Sequence, residues 1–312
     1  MKILVTGACG LLGSHVMAAL SGQHDVVGID RHPWWGDRAA AMLSGDLHQP
    51  GVLEAALEQT VPDAVIHCAA LVHVDACERN PALALTCNAT LTQRLARAVP
   101  RGCLLVYIST DGIFTGETPF TTEDQPPAPR TVYGRSKLEG ERVAAATTDN
   151  HLIVRTNFYG WSSGRKPTFA EWLYGALEQQ QPITLFDDFF FTPIYVVDFV
   201  ERLEALMRST HRGIFHLCGR DRVSKNDFGL RLATMAGLPV RQVRRGSLKD
   251  APLAAPRPRD MSLDSGRFCR LTGLDVPRYE AGLSRFLEDR TQLLSQRFSR
   301  VRSLDMQALR SA

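Results

Sequence analysis

The sequence predicts an α/β protein built on a doubly wound parallel sheet, followed by a smaller mixed α/β carboxyl-terminal substrate domain. Three observations carry this. Short, near-continuous apolar runs alternate with helical periodicity up to about residue 155. A glycine loop, TGACGLLGSH, joins the first run to the first helix. The second run ends in an acidic residue, Asp30, 23 residues after Gly7.

Taken in order, KILVT (2–6), DVVGI (25–29), DAVIHC (63–68), CLLVYIS (103–109) and HLIVRT (151–156) read as strands. They are near-continuous rather than alternating, as in strands covered on both faces. Helical periodicity falls at 11–21, 51–60, 81–99 and 132–147. Pro81 stands where a first-turn proline is tolerated, and Pro100 where the helix must stop. Beyond residue 160 the pieces shorten. GWSSGRKPT (160–168) and APLAAPRPRD (251–260) read as loops, with a helix near 169–180, a strand at 192–196, a helix at 197–208 and a strand at 213–217. Ser224 and Asp227 have the spacing of a capping box, opening a helix that ends near Gly237. The tail from Arg278 is again helically periodic. The domain reading is therefore 1–160 for cofactor binding, with parts of 190–220 returning to it, and 161–312 mainly for substrate.

A chain of 312 residues can bury a large core. Its net charge of +3 hides an asymmetry, because residues 201–312 carry 22 Lys and Arg against 12 Asp and Glu. A basic carboxyl-terminal part suits an anionic small ligand such as a diphosphate. The Arg run after Arg290 reads instead as a solvated tail. The seven cysteines are scattered and include no CxxC, which suits free thiols in a reducing compartment. The amino terminus is too short in apolar residues for a signal sequence, and no run approaches a membrane span, so a cytoplasmic location is expected. The His are spread without metal-ligand spacing, and no basic face with interleaved aromatics suggests nucleic acid.

In the glycine loop, Gly7 permits a tight turn, Gly10 lets backbone approach a pyrophosphate and Gly13 permits close helix–strand packing. Cys9, Leu11 and Leu12 complete the loop. With Asp30 placed to meet a ribose, the motif predicts a Rossmann-type dinucleotide site. Asp30 argues for NAD(H), since a carboxylate repels a 2′-phosphate. Arg31 and His32 follow directly and suit NADP(H), so NAD is only slightly favoured. SGD (44–46) brings Asp46, with Leu47, either to the adenine or into a plain polar turn.

Ser109, Thr110 and Asp111 end the CLLVYIS strand, where ligands bind in an open parallel sheet. Tyr133 and Lys137 stand four apart on a helix, either as a proton-transfer pair or as neighbours on one face. A nearby ammonium favours phenolate, so the pair can serve as a tuned acid beside a nicotinamide, with Thr110 holding a carbonyl oxygen. In the company of the glycine loop, Tyr133, Lys137 and Thr110 read as catalytic.

These residues lie within motifs that run nearly the length of the chain: TGACGLLG, GDLHQP, HCAALVHVDACERNP (67–81), Asn88 in LTCNAT, STDGIFTG (109–116), VYGRSKLEGE, LIVRT (152–156), FTPIYVVDF (191–199) and RPRDMSLD (257–264). In them the sequence resembles the extended short-chain dehydrogenase/reductases, and within these the dTDP-4-dehydrorhamnose reductase branch. The resemblance implies a catalytic set of Thr110, Tyr133 and Lys137, and a cofactor cleft lined by Cys68, Ala69, Ala70, Asn88 and Ser109. It also implies a substrate side formed by Val72, Asp111, Gly112, Asn157, Phe158, Trp161, Phe191 and Arg257, with Arg257 near the nucleotide diphosphate. The implied reaction is hydride delivery from NAD(P)H to C4 of a nucleotide-activated 4-keto-6-deoxy sugar, with Tyr133 as acid. A homodimer is a family-level expectation.

Two departures stand out. The branch reads TDYVF where this chain has TDGIF, so Gly112 removes a ring beside Thr110, and TNFYGW (156–161) differs from TSWVY. Phe158 or Trp161 is a candidate for the missing ring. The FDDFFF run (186–191) suits a buried strand or loop better than a sugar platform. A 4,6-dehydratase would carry Glu where Gly112 stands. An NAD-dependent nucleotide-sugar 4-epimerase, which retains its coenzyme, is the enzymatic alternative. A non-catalytic regulatory subunit of the same fold is the other.

Overall fold

The computed structural model describes residues 1–34, 41–162, 167–250 and 255–290. Parts of the two Gly/Pro/Ser-rich loops (163–166 and 251–254) and the Arg run after Arg290 lie outside the described residues. Seven strands form one parallel sheet: β1 (Lys2–Thr6), β2 (Asp25–Asp30), β3 (Ala41–Ser44), β4 (Ala64–His67), β5 (Leu104–Thr110), β6 (His151–Thr156) and β7 (Gly213–His216). Their spatial order is β7-β6-β5-β4-β1-β2-β3. The order reverses between β1 and β4, so the ends of β1, β4 and β5 open into one crevice.

The apolar runs explain this arrangement. Every residue of β4 and β5 is buried, as strands with helices on both faces require. Residues of opposite parity serve different cores. Ile3, Val5, Ile66 and Val106 enter the larger cluster, and Leu4, Val65, Leu105 and Tyr107 the smaller one on the other face. Burying each such aliphatic side chain contributes about 1.5–3 kcal/mol. β3 was not expected as a strand; AMLS is short, and its pairing with β2 makes it an edge strand.

One expected helix is three pieces. Residues 81–99 form a short helix Pro81–Leu85, a π-turn Thr86–Thr90 and a helix Leu91–Ala98. Asn88 sits in the π-turn, and its side chain bonds both backbone groups of Leu71: Leu71 N donates to Oδ1 at 2.8 Å and Nδ2 donates to Leu71 O at 3.0 Å. A π-turn inserts a residue into the helical register and re-aims a side chain. Here it aims Asn88 at the loop after β4.

Beyond residue 160, short strands pair locally: Ile183–Phe186 with Val243–Gly246, and Phe190–Phe191 with both Val223–Ser224 and Asp260–Met261. Helix Phe169–Glu178 opens on a capping box of Thr168 and Glu171. Helix Lys225–Ala236 is capped by Ser224, which accepts from Asp227 N, and stops at Gly237 with φ +66°. Residues 279–290 are helical, and Phe286 there packs on Tyr159, Trp161 and Tyr195. Many of the excess arginines are neutralised in place, among them Arg222 by Asp260 and Arg285 by Asp198 and Glu201. No described helix is long and apolar enough to cross a membrane. No disulfide links any of the seven cysteines among the described residues.

Candidate active site

The crevice is built from the end of β1 outward. Gly7 has φ +67°, and a Cβ there would lie 2.7 Å from Ala69 N. A Cβ on Gly13 would lie 2.2 Å from Gly7 O. Two backbones therefore meet at Gly7, and helix meets turn at Gly13. Gly10 caps helix Leu11–Leu20 without a side-chain hydrogen bond, so the first N–H groups of the helix have no side-chain acceptor. A helix start of this kind fits a diphosphate, and the glycine cradle leaves room for one. Gly7→Ala is expected to destabilise the protein by about 1–2 kcal/mol or more, from left-handed backbone strain plus the clash with Ala69. A lowered urea midpoint at unchanged slope checks this.

Asp30 does lie beside the loop. Its two oxygens accept from Cys9 N at 3.0 Å and His32 N at 2.9 Å. Arg31 is exposed next to it. Asp46 accepts from His48 N at 3.0 Å within a turn, and Leu47 is buried in the smaller core. Beneath the loop, Thr6 Oγ1 lies 2.7 Å from His67 Nδ1, and His67 Nε2 lies 3.2 Å from Thr92 Oγ1. Burial pushes His67 down to about 3, so it stays neutral. Cys68 is half-buried, and burial pushes its thiol up to about 12.

Tyr133 and Lys137 lie on helix Val132–Thr147, capped by Thr131, whose hydroxyl accepts from Gly134 N at 2.9 Å. Gly134 lets the helix approach the β5 loop, since a Cβ there would lie 2.2 Å from Gly112 O. Gly140 does the same at Tyr107, whose hydroxyl would lie 2.1 Å from an added Cβ. Ser136 donates to Tyr133 O at 2.8 Å and accepts from Asn88 Nδ2 at 2.9 Å, tying this helix to the π-turn.

Burial pushes the Tyr133 phenol up, while its hydrogen bond with Thr110 draws it down. Lys137 is 3% exposed, and burial lowers it to about 7 against the opposing pull of Glu141 and Cys68. Its ammonium lies 4.0 Å from the centre of the Tyr107 ring. Thr110 Oγ1 donates to Asp111 Oδ1 at 3.0 Å and accepts from Gly112 N at 3.1 Å. Asn157 donates to the other Asp111 oxygen. Burial raises the Asp111 carboxyl to about 6 despite these donors. The arrangement presents a hydroxyl, a phenol and an ammonium beside a glycine-lined cradle.

One expectation needs refinement and one needs correction. Ser109 projects from the opposite face of the strand to Thr110. Its hydroxyl donates to Glu141, which also holds Arg155 at 2.8 Å in a buried pair. Trp161 does not replace the ring lost at Gly112. It stacks on Phe286 at 4.2 Å and donates to Phe286 O at 2.6 Å. Phe158 packs against the larger core beside Phe199, 5.6 Å away. The space at Gly112 is instead approached by Met261, whose Cε would lie 3.6 Å from an added Cβ.

Ala69 and Ala70 line the loop after β4, and Val72 is exposed at its rim. Arg257 pairs with Asp75 at 3.0 Å and, among the described residues, keeps a buried Nη1 without a hydrogen-bond partner, as a site for an anionic oxygen would. Phe191 is buried, as the FDDFFF reading expected of that run. Gly134, Gly140, Ser136, Glu141, Arg155 and Lys225 were not singled out from the sequence. Two glycines inside a helix were the available signal for the first pair.

Comparison with known proteins gives the same architecture a family. The probable low-salt glycan biosynthesis reductase Agl14 of Haloferax volcanii is 31% identical over 91% of this chain and 96% of its own length. The dTDP-4-dehydrorhamnose reductase of Mycobacterium tuberculosis is 31% identical over 89% of each chain. A solved dTDP-4-dehydrorhamnose reductase from Bacillus anthracis, in complex with NADP, superposes with a TM-score of 0.83. It is 28% identical and covers 93% of this chain and all of its own. The RmlD substrate binding domain family is matched over residues 1–292. With nearly the whole chain inside that match, the protein belongs to the RmlD substrate binding domain family of NAD(P)-dependent sugar-nucleotide reductases.

Proposed function

We propose that the protein reduces the C4 keto group of a nucleotide-activated 4-keto-6-deoxy sugar with NAD(P)H. The observation that carries this reading is the gathering of Thr110, Tyr133 and Lys137 beside the Gly7–Gly13 cradle. Residues 1–160, with parts of 190–220, would hold the coenzyme, and 161–312 mainly the sugar nucleotide. When bound, the nicotinamide supplies the hydride. Thr110 holds the carbonyl oxygen, and Tyr133 gives its phenolic proton to the developing alkoxide. Burial keeps that proton in place at neutral pH, and the Lys137 ammonium stabilises the phenolate left behind. Asn88 keeps the Leu71 loop and the Tyr133 helix in register. Arg257 Nη1 is the group proposed to meet the diphosphate.

The coenzyme reading is NAD(P)H without a firm preference. Asp30 supports NADH, but its oxygens already accept two amides, and exposed Arg31 supports NADPH. The test follows NADPH and NADH absorbance with dTDP-4-keto-6-deoxy sugars made in situ. Oxidation dependent on the keto sugar is expected. Absence of oxidation with both coenzymes, across several nucleotide sugars, would overturn the reading.

A further inference from the structure

Lys225 opens helix Lys225–Ala236, where a cation sits at the unfavourable positive end of the helix dipole. It is only half-buried, yet its ammonium lies among three phenyl rings. Its Nζ is 3.3 Å from the centre of Phe191, 4.2 Å from Phe169 and 5.3 Å from Phe189. Its backbone N donates to Phe189 O at 3.0 Å, but among the described residues its ammonium, which carries three donors, has no hydrogen-bond or ion-pair partner within 4.0 Å. The carboxylate that acts on it electrostatically is Asp111, which is bonded to Thr110 and Asn157.

Aromatic faces attract a cation but accept none of its hydrogen bonds well. An ammonium held against three rings, with no protein acceptor among the described residues, has its donors available to a ligand. Phe191 of the cage lies in the strand Phe190–Phe191, which pairs with Asp260–Met261, and Met261 Cε would lie 3.6 Å from a Cβ added at Gly112. The ammonium therefore faces the side of the crevice where the sugar is proposed to lie.

We propose that Lys225 is a specificity-determining residue that donates a charge-assisted hydrogen bond to an oxygen of the substrate's hexose ring. This rests on the sugar-nucleotide reading above. It assigns recognition of the sugar, as distinct from the diphosphate or the coenzyme, to a residue outside the Thr110–Tyr133–Lys137 group. Phe169, Phe189 and Phe191 surround the ammonium itself and restrict where it can point.

The test compares wild type with Lys225→Met, which keeps an unbranched stem in the cage and removes the charge and donors. Dissociation constants for dTDP-glucose and for dTDP are measured by calorimetry, alongside KM and kcat for the keto sugar. The expected result is a rise of about 10- to 150-fold in Kd for dTDP-glucose and in KM, the range for a hydrogen bond to a charged group. Affinity for dTDP and coenzyme should change less than twofold. Should Lys225→Met fail to fold, Lys225→Leu, which also removes the charge and the donors, is read in the same way. Unchanged sugar affinity and KM in a folded variant would overturn the proposal and leave Lys225 a packing residue. Equal weakening of dTDP and dTDP-glucose would overturn it too. A wild-type protein that binds no nucleotide sugar would instead sink the functional reading on which the proposal stands.

Discussion

Replacing Tyr133 with Phe is expected to lower kcat by about 10²–10⁴, the usual loss when a positioned general acid is removed. The phenyl ring remains, so the half-buried packing of the side chain is kept. The lost hydrogen bond with Thr110 costs no more than about 1 kcal/mol of stability. Coenzyme affinity should hold, because the cradle at Gly7, Gly10 and Gly13 and the Lys137 ammonium are untouched. Steady-state kinetics with thermal denaturation of both proteins separates the two effects. A variant that keeps more than a tenth of wild-type kcat would contradict the role given to the phenol.

The second large effect is at Glu141, which touches no expected ligand. Glu141 and Arg155 are 3% and 2% exposed, and Glu141 also accepts from Ser109. Glu141→Gln leaves the Arg155 guanidinium buried without its counter-charge, with His216 at 3.4 Å, held neutral by burial, and the Phe114 ring centre at 5.3 Å as its ring neighbours. Breaking such a pair from one side costs about 3–5 kcal/mol, a large part of a typical folding free energy. Glu141 also raises the Lys137 pKa against its burial. Its loss lowers that pKa further below about 7, so less ammonium is present at neutral pH. Any activity left in Glu141→Gln should therefore fall at lower pH than in wild type. Urea denaturation and a pH profile of kcat check both parts. An unchanged urea midpoint would contradict the assignment.

The sheet was legible because its strands are buried on both faces, which leaves apolar runs such as CLLVYIS with no competing periodicity. The glycine loop was legible because each glycine answers a local demand, seen in the 2.7 Å and 2.2 Å approaches at Gly7 and Gly13. The Tyr133–Lys137 pair could be read from spacing, since four residues on a helix place two side chains on one face. Less local features were not. The π-turn at Asn88 depends on hydrogen bonds to Leu71, 17 residues away. The two-residue strands at 190–191, 223–224 and 260–261 exist only because they pair across the fold. Ser109 was assigned to the crevice by its place beside Thr110, and the strand's alternation turns its hydroxyl to Glu141. Trp161 was placed against the sugar by analogy, whereas helix 279–290 supplies Phe286 to stack on it. Lys225 was invisible because its cage is drawn from two segments, at 169 and at 189–191, that are distant from it in sequence.

The most direct test of the central claim follows the hydride itself. Reduced coenzyme carrying deuterium at C4 of the nicotinamide is incubated with a dTDP-4-keto-6-deoxy sugar, and the product is read by proton and deuterium NMR. Reduction at C4 predicts deuterium at C4 of the sugar, one per coenzyme oxidised, and none with Tyr133→Phe on the same timescale. No deuterium at C4 of the sugar, with the reduced coenzyme recovered unoxidised, would contradict the reductase; inversion at C4 of a 4-hydroxy nucleotide sugar by the protein with its own bound coenzyme would identify an epimerase.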